Sequence, residues 1–297
     1  MNIFYHPLYT EGISSESSFP RERYRLVYES LKHFNGITFQ KPDRASLDPI
    51  YAVHDKNFVD SFISGSLSVS DQRRIGLRPW TKDIVDRTLY IMGGSISALE
   101  SCIEDGIAGN LAGGTHHSYF DYGSGYCIFN DLVICASYAK NNYNKIKKVL
   151  IVDLDVHQGD GTASMTSGDD SVFTFSMHCS SNFPLKKMVS DLDVPVSRYV
   201  TEVSYLEILE SHLKKLKETQ PDIVFYQAGV DTLKEDKLGH MAITKEGMKK
   251  RDNIVLNFCK ELGVPVLVFM GGGYSDPITH TVDAFTNLFQ RCSRYSV

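Results

Sequence analysis

The chain has 297 residues, 42% hydrophobic and 23% charged, with a formal net charge of -5. That length suits one large core, and the mild acidity, with no run of like charges, gives no electrostatic footprint for direct nucleic-acid binding. No window approaches the roughly 20 apolar residues of a membrane span, and the start Met1-Asn2-Ile3-Phe4-Tyr5-His6-Pro7 lacks the regions of a signal peptide, so a soluble, cytoplasmic protein with no membrane partner is expected.

There is no internal repeat and no linker, and the whole of 1–297 reads as one domain. Gly65 to Asp71 and Met165 to Asp170 read as short surface loops. Val85, Leu89, Met92, Ile96, Leu99 and Ile103 recur at spacings of three and four, the stripe of an amphipathic helix. Val149 to Val152, Val172 to Phe175, Ile223 to Tyr226 and Val264 to Met270 are short apolar runs rich in β-branched residues, which suit strands covered on both faces. Tyr205, Ile208, Leu209, His212, Leu213 and Leu216 repeat the helical signal. Strands alternating with helices imply an α/β fold: a central, mostly parallel sheet flanked by helices, with ligands bound beyond the carboxyl ends of the strands. The six cysteines, Cys102, Cys127, Cys135, Cys179, Cys259 and Cys292, form no CxxC and read as buried thiols.

Four segments carry chemistry. Asn110 to His117 ends an apolar stretch with tandem histidines, His116 and His117. In an extended chain these would point to opposite sides, so they read either as surface histidines or, near a bound metal, as general base and general acid. Val149 to Gly161 contains Asp153, Asp155 and His157 at i, i+2 and i+4, one face of an extended chain. Two carboxylates and an imidazole there suit a divalent ion, or a capped turn with a structural hydrogen-bond network. Past the run Ile223 to Tyr226, Asp231 is either a helix cap or the third ligand of an open metal site. Val266 to Tyr274 ends in Gly271-Gly272-Gly273 and a phenol, either a flexible turn or an oxyanion donor. Four such signals at successive strand ends form a constellation.

The ordered segments Gly113 to His117, Gly125-Tyr126-Cys127-Ile128-Phe129-Asn130-Asp131, Asp153 to Gly161, Ala228 to Asp231 and Gly271 to Tyr274 resemble the histone deacetylase family of the arginase/deacetylase fold, from about Val53 to Leu288. Asp236-Lys237-Leu238-Gly239-His240, Lys250-Arg251-Asp252 and the short ending at Tyr274 are most similar to its class IV type. The resemblance implies zinc-dependent hydrolysis of the amide of an acylated lysine, in a peptide, a protein or a small acylated amine. It implies one catalytic Zn²⁺ on Asp155, His157 and Asp231. His117 would be general base and acid, paired with Asp160, and His116 its electrostatic partner, oriented by Asp153. Tyr274 would polarise the carbonyl. A structural K⁺ would lie among Asp153, Asp155, His157, Ser176 and Met177. Gly125, Tyr126 and Phe183 would line an acyl-lysine tunnel, with Leu238 at its rim. Tyr126 stands where many relatives have phenylalanine, and Leu238 where polyamine-directed relatives have an acidic residue. Arg21, Arg23 and Arg25 compete for an arginine at the tunnel foot.

The alternatives are a non-catalytic acyl-lysine binding module, a binuclear manganese ureohydrolase and a small acetyl-amine amidohydrolase on the same fold. His33, His54 and His212 read as non-catalytic, while His178 and His240 are weighed as substrate contacts.

Overall fold

The computed structural model describes residues 1–295, so the last two residues of the single domain expected over 1–297 lie outside it. Eight strands build the sheet: β1 Asn2–Phe4, β2 Thr38–Gln40, β3 Ile107–Asn110, β4 Val149–Asp153, β5 Val172–Cys179, β6 Leu192–Val196, β7 Ile223–Gln227 and β8 Val266–Phe269. They are ordered β2-β1-β3-β8-β7-β4-β5-β6, and every neighbouring pair is parallel.

Every residue of β4, β7 and β8 is buried, which is why these strands read as unbroken apolar runs. The two-residue period of a strand divides them between two cores. Leu150, Val152, Val224, Tyr226, Val266 and Val268 face one core, shared with the helices Glu202–Leu216, Lys245–Leu262 and Thr279–Cys292. Val149, Ile151, Ile223, Phe225, Leu267 and Phe269 face the other, against the helix Asp131–Asn142 and the end of Ile84–Asp105. Helices therefore cover both faces, as the sequence implied.

The stripes from Val85 to Ile103 and from Tyr205 to Leu216 fall in the helices Ile84–Asp105 and Glu202–Leu216. Two loop expectations need correcting. Ser68 caps a helix over Val69–Ile75, and Met165 and Thr166 close the helix Asp160–Thr166, so each segment is only partly loop. Strands β1, β2 and β3 have three or four residues and β6 holds Pro195 at an edge; none offers a long apolar run to read. All six cysteines are buried and free. Among the described residues no helix is long and apolar enough to cross a membrane.

β3 and β4 are consecutive in the chain, yet β8 and β7 lie between them. That is a topological switch, where the loops beyond neighbouring strands part and leave a crevice. The four chemistry-bearing segments leave the carboxyl ends of β3, β8, β7 and β4, side by side.

Candidate active site

Asp153 ends β4, and the chain does not stay extended beyond it. Its Oδ1 accepts the Asp155 N–H at 3.1 Å, and Asp155 Oδ1 accepts the His157 N–H at 3.0 Å. Two successive side-chain-to-backbone turns, in place of the expected single face, fold Asp155 and His157 together. From the β7 loop, Asp231 Oδ1 accepts the Val156 N–H at 2.9 Å. Asp231 Oδ2 then lies 3.1 Å from His157 Nδ1 and is buried without a hydrogen-bond partner in the structure. Asp155, His157 and Asp231 offer ligand atoms within 4.8 Å of one another.

These three residues fit a cation. A Cβ on Gly272 would lie 1.9 Å from Asp231 Oδ2, so only glycine leaves that oxygen its space. Gly272 N–H donates to Asp155 Oδ2 at 2.7 Å, holding the second carboxylate. Burial, then the Asp155 charge, pushes Asp231 up to about 7, the response of two carboxylates crowded without enough positive charge. Burial opposes a charge on His157, but the hydrogen bond to Asp155 and the adjacent Asp231 carboxylate raise it to about 10. Two carboxylate oxygens and an imidazole nitrogen are a donor set for Zn²⁺ or a similar divalent ion.

The tandem histidines do not point apart, because Ser118 N–H bonds back to Thr115 O and the chain turns beneath them. Their rings lie 4.1 Å apart. His116 Nδ1 meets Asp153 Oδ2 at 2.7 Å, and His117 Nδ1 meets Asp160 Oδ1 at 2.6 Å. Burial opposes a charge on His116, yet Asp153 and Asp155 raise it to about 9. Burial and the neighbouring His116 lower His117 to about 4, against the pull of Asp160. Similar rings thus take opposite charge states. Tyr119 O–H donates to Asp160 Oδ2 at 2.9 Å, completing that carboxylate's bonding.

Tyr126 owes its place to a tight turn. Ser124 and Cys127 exchange both backbone hydrogen bonds, and Gly125 and Tyr126 have φ of 53° and 68°, so both lie in the left-handed region. That is the signature of a two-residue hairpin, and it costs a non-glycine residue strain of the sort functional sites retain. A Cβ on Gly125 would lie 2.6 Å from the His117 ring. Phe183 stands 4.9 Å from the His117 ring on another side. An outer basin of about 580 Å³ and an inner cavity of about 40 Å³ share His117, His157, Gly125, Tyr126 and Tyr274. Leu238 and His240 line the basin.

Of the three arginines, Arg23 is the one at the inner cavity. It is buried, donates to Gly273 O at 3.0 Å and lies 5.5 Å from the Tyr274 ring centroid. Arg21 and Arg25 pair with Glu22. Helical spacing carried that signal: Arg23, Val27 and Leu31 form the buried stripe, with Arg21 and Arg25 off it. Of the two histidines weighed as substrate contacts, His240 lines the basin and His178 does not. β5 continues through Cys179, and His178 is buried with Nδ1 3.0 Å from Ser176 Oγ. Ser176 is the register partner of Asp153, and Met177 follows it in β5.

Four groups that sequence reasoning gave no role hold the site. Asp131 accepts N–H bonds from Gly114 and Thr115 at 3.1 and 2.8 Å, fixing the loop before the histidines. His54 Nε2 accepts the Asn130 N–H at 3.0 Å, which leaves Nδ1–H to donate to Phe120 O at 3.2 Å. Asn182 joins the basin's two walls, donating to Leu238 O at 2.7 Å and accepting His240 N–H at 3.0 Å. Asp236 accepts Leu238 and Gly239 N–H, both at 2.9 Å, and Tyr274 N–H at 2.6 Å.

Comparison with known proteins agrees with this geometry. The histone deacetylase domain family matches residues 17–289, beginning well before Val53. An uncharacterised protein of Picosynechococcus sp. is 43% identical over 98% of both chains. Histone deacetylase 8 of Xenopus laevis is 31% identical over 80% of this chain and 78% of its own, and histone deacetylase 2 of Arabidopsis thaliana is 30% identical over 84% and 66%. The crystal structure of an acetylpolyamine aminohydrolase from Burkholderia pseudomallei superposes with a TM-score of 0.82 over 99% of both chains at 17% identity, a likeness of fold. The chain belongs to the histone deacetylase family, and by that membership it is a hydrolase of acylated amines.

Proposed function

We propose that the protein is a zinc-dependent deacylase that cleaves the amide of an acylated lysine, with one catalytic ion on Asp155, His157 and Asp231. The observation that carries this reading is the meeting of that ligand cluster, the His117–Asp160 pair and Tyr274 around one cavity. Bound there, Zn²⁺ would polarise the amide carbonyl and bring the pKa of a water toward about 7.

The chain's own groups supply the rest. His117 is held neutral, and Asp160 occupies its Nδ1, so Nε2 is free to take the proton of the attacking water. The same Nε2 then returns a proton to the leaving amine. His116, held cationic by Asp153 and Asp155, keeps positive charge beside the developing negative one. Tyr274 O–H serves as donor to the carbonyl oxygen as it becomes an oxyanion. Tyr126 and Phe183 would enclose the lysine stem, with Gly125 supplying backbone near the acyl group and Leu238 at the rim. The register of Asp153 beside Ser176, with Met177 next in the strand, supports a structural K⁺ held with Asp155 and His157.

The test is a fluorogenic acetyl-lysine assay on metal-loaded protein, with and without chelator, beside metal analysis. Turnover that chelator abolishes and zinc restores, at one ion per chain, is expected. Two ions per chain would instead indicate ureohydrolase-type chemistry, and binding without turnover a non-catalytic module. Asp155→Ala and Asp231→Ala should each lose the ion; full zinc in both would refute the ligand set.

A further inference from the structure

Two guanidiniums stand at the inner cavity, and among the described residues no carboxylate pairs with either. Arg23, on the helix Glu22–Leu31, and Arg87, on the helix Ile84–Asp105, both line it and are only 3% and 4% exposed. Arginine is seldom buried to this degree unless an anion accompanies it. The acceptors these two have are neutral. Arg23 donates to Gly273 O at 3.0 Å and Arg87 to Tyr9 O at 3.1 Å, and both reach the Tyr24 hydroxyl, at 3.2 and 3.5 Å. The two charges thus face each other across one oxygen. Burial lowers Arg87, and the Arg23 charge adds to that effect against the help of Tyr24. Aromatic faces soften the cost without supplying negative charge: the Phe19 ring centroid lies 4.8 Å from Arg23 Cζ, that of Tyr24 5.0 Å and that of Tyr274 5.5 Å.

Asp155 also lines the cavity, but it is taken by His157 and the Gly272 N–H, and Asp231 acts on Arg23 only through space. Arg23 Nε is buried without a hydrogen-bond partner, and of the three Arg87 nitrogens only Nε and Nη2 are used. The Tyr24 hydroxyl, having accepted both arginines, keeps its own proton to give. Unspent donors on two cations and a phenol beside an enclosed cavity are the makings of a carboxylate site.

Position says which carboxylate. The inner cavity holds His117, Tyr274, Asp155 and His157 as well as both arginines, whereas the outer basin, which takes the lysine stem, is lined by neither arginine. The arginines therefore lie on the acyl side of the reacting groups. Three C–C bonds carry a carboxylate about 4 Å past the reacting carbon, and an N–H···O bond spans about 3 Å more. At about 40 Å³ the cavity has space for on the order of three waters, close to the few heavy atoms by which a succinyl group exceeds an acetyl group.

Building on the deacylase reading above, we propose that Arg23 and Arg87, with the Tyr24 hydroxyl, bind the terminal carboxylate of a short dicarboxylic acyl group, so that succinyl-lysine is a preferred substrate. The bond chemistry is unchanged: the water oxygen joins the acyl carbon, the C–N bond breaks, a proton passes to the lysine amine, and succinate leaves.

The experiment compares one lysine peptide carrying acetyl, succinyl or 4-methylpentanoyl, the last matching succinyl in shape without its charge. On zinc-loaded protein, kcat/KM for the succinyl peptide should exceed that for the 4-methylpentanoyl peptide by about ten-fold or more, the scale of one hydrogen bond to a charged group. In Arg87→Met the succinyl-to-acetyl ratio should fall by about ten-fold, and in the milder Tyr24→Phe by about three-fold; a ratio taken on one preparation cancels any loss of folded protein. Equal turnover of the two matched peptides, or an unmoved ratio in either variant that folds, would overturn the proposal. If no peptide is cleaved, the deacylase reading falls by itself. Fluorescence anisotropy of the labelled peptides then decides the site: tighter binding of the succinyl peptide that the variants weaken supports it, and equal binding of the matched pair overturns it.

Discussion

Arg251 lies beneath the candidate metal site without touching it, and replacing it tests how the two ligand loops are held. Its side chain is fully buried on the helix Lys245–Leu262. Nη1 donates to Gly229 O at 2.6 Å and Leu154 O at 3.4 Å, and Nη2 to Ala228 O at 3.4 Å. Those carbonyls immediately precede or lie two or three residues before Asp155 and Asp231. The charge is matched by Asp252, whose Oδ1 also accepts the Tyr226 hydroxyl at 2.7 Å. Arg251→Met would strand the Asp252 carboxylate, at about 3–5 kcal/mol for a buried pair broken on one side. The orphaned Gly229 carbonyl adds about 1–3 kcal/mol. The sum, about 4–8 kcal/mol, rivals the whole stability of a domain, about 5–15 kcal/mol. Urea unfolding followed by fluorescence of the single tryptophan, Trp80, reads it. Arg251→Met/Asp252→Leu should recover about 2 kcal/mol or more, since it removes the stranded charge. Competition with a chromophoric chelator should show zinc affinity at least about ten-fold weaker in the single variant, because the ligand loops lose their support. A single variant within about 1 kcal/mol of the parent, or a double variant no better than the single one, would refute the reasoning.

Tyr274→Phe should lower kcat by about 10²–10³-fold with bound zinc and the unfolding midpoint unchanged; unimpaired turnover would remove the phenol from the mechanism. Asp236 is a positioning residue for Tyr274, so Asp236→Ala should cut kcat by on the order of ten- to a hundred-fold with a smaller change in KM, and Asp236→Asn, which keeps one acceptor oxygen, should recover part of it. Parental kinetics in Asp236→Ala would exclude that role. Burial holds His54 down at about 4, below the ordinary value of 6.5, against hydrogen bonds to backbone carbonyls. A histidine held low binds fewer protons folded than unfolded, so its contribution is present above about pH 6.5 and is lost as pH falls toward 4, by about 3 kcal/mol. Unfolding free energy should therefore fall more steeply from about pH 6.5 to 4.5 in the parent than in His54→Gln; parallel curves would count against a neutral His54.

What the sequence disclosed depended on how locally each feature is encoded. β4, β7 and β8 were legible because a strand buried on both faces must be apolar throughout, and Asp155, His157, Asp231 and Tyr274 because each follows such a run closely. The edge strands were too short to stand out. Extended-chain geometry misjudged the histidine pair and the Asp153–His157 segment, since the side-chain-to-backbone turns there depend on strand termination. Arg23 was within reach of the sequence through the stripe it shares with Val27 and Leu31. Asn182, Asp236, His54 and Arg251 were not, because each acts on backbone groups brought near only by the finished fold: Arg251 reaches Leu154 across 97 positions.

The strand order also sets a timetable for synthesis. β8, the last strand in chain order among the described residues, belongs in the middle of the sheet, between β3 and β7. A nascent chain that has made the rest of the sheet still has a slot open at its centre, with the glycine cradle and the phenol not yet delivered. An ion held by Asp155, His157 and Asp231 would meet its final setting only after that slot fills, so its loading would follow the delivery of β8 and Tyr274.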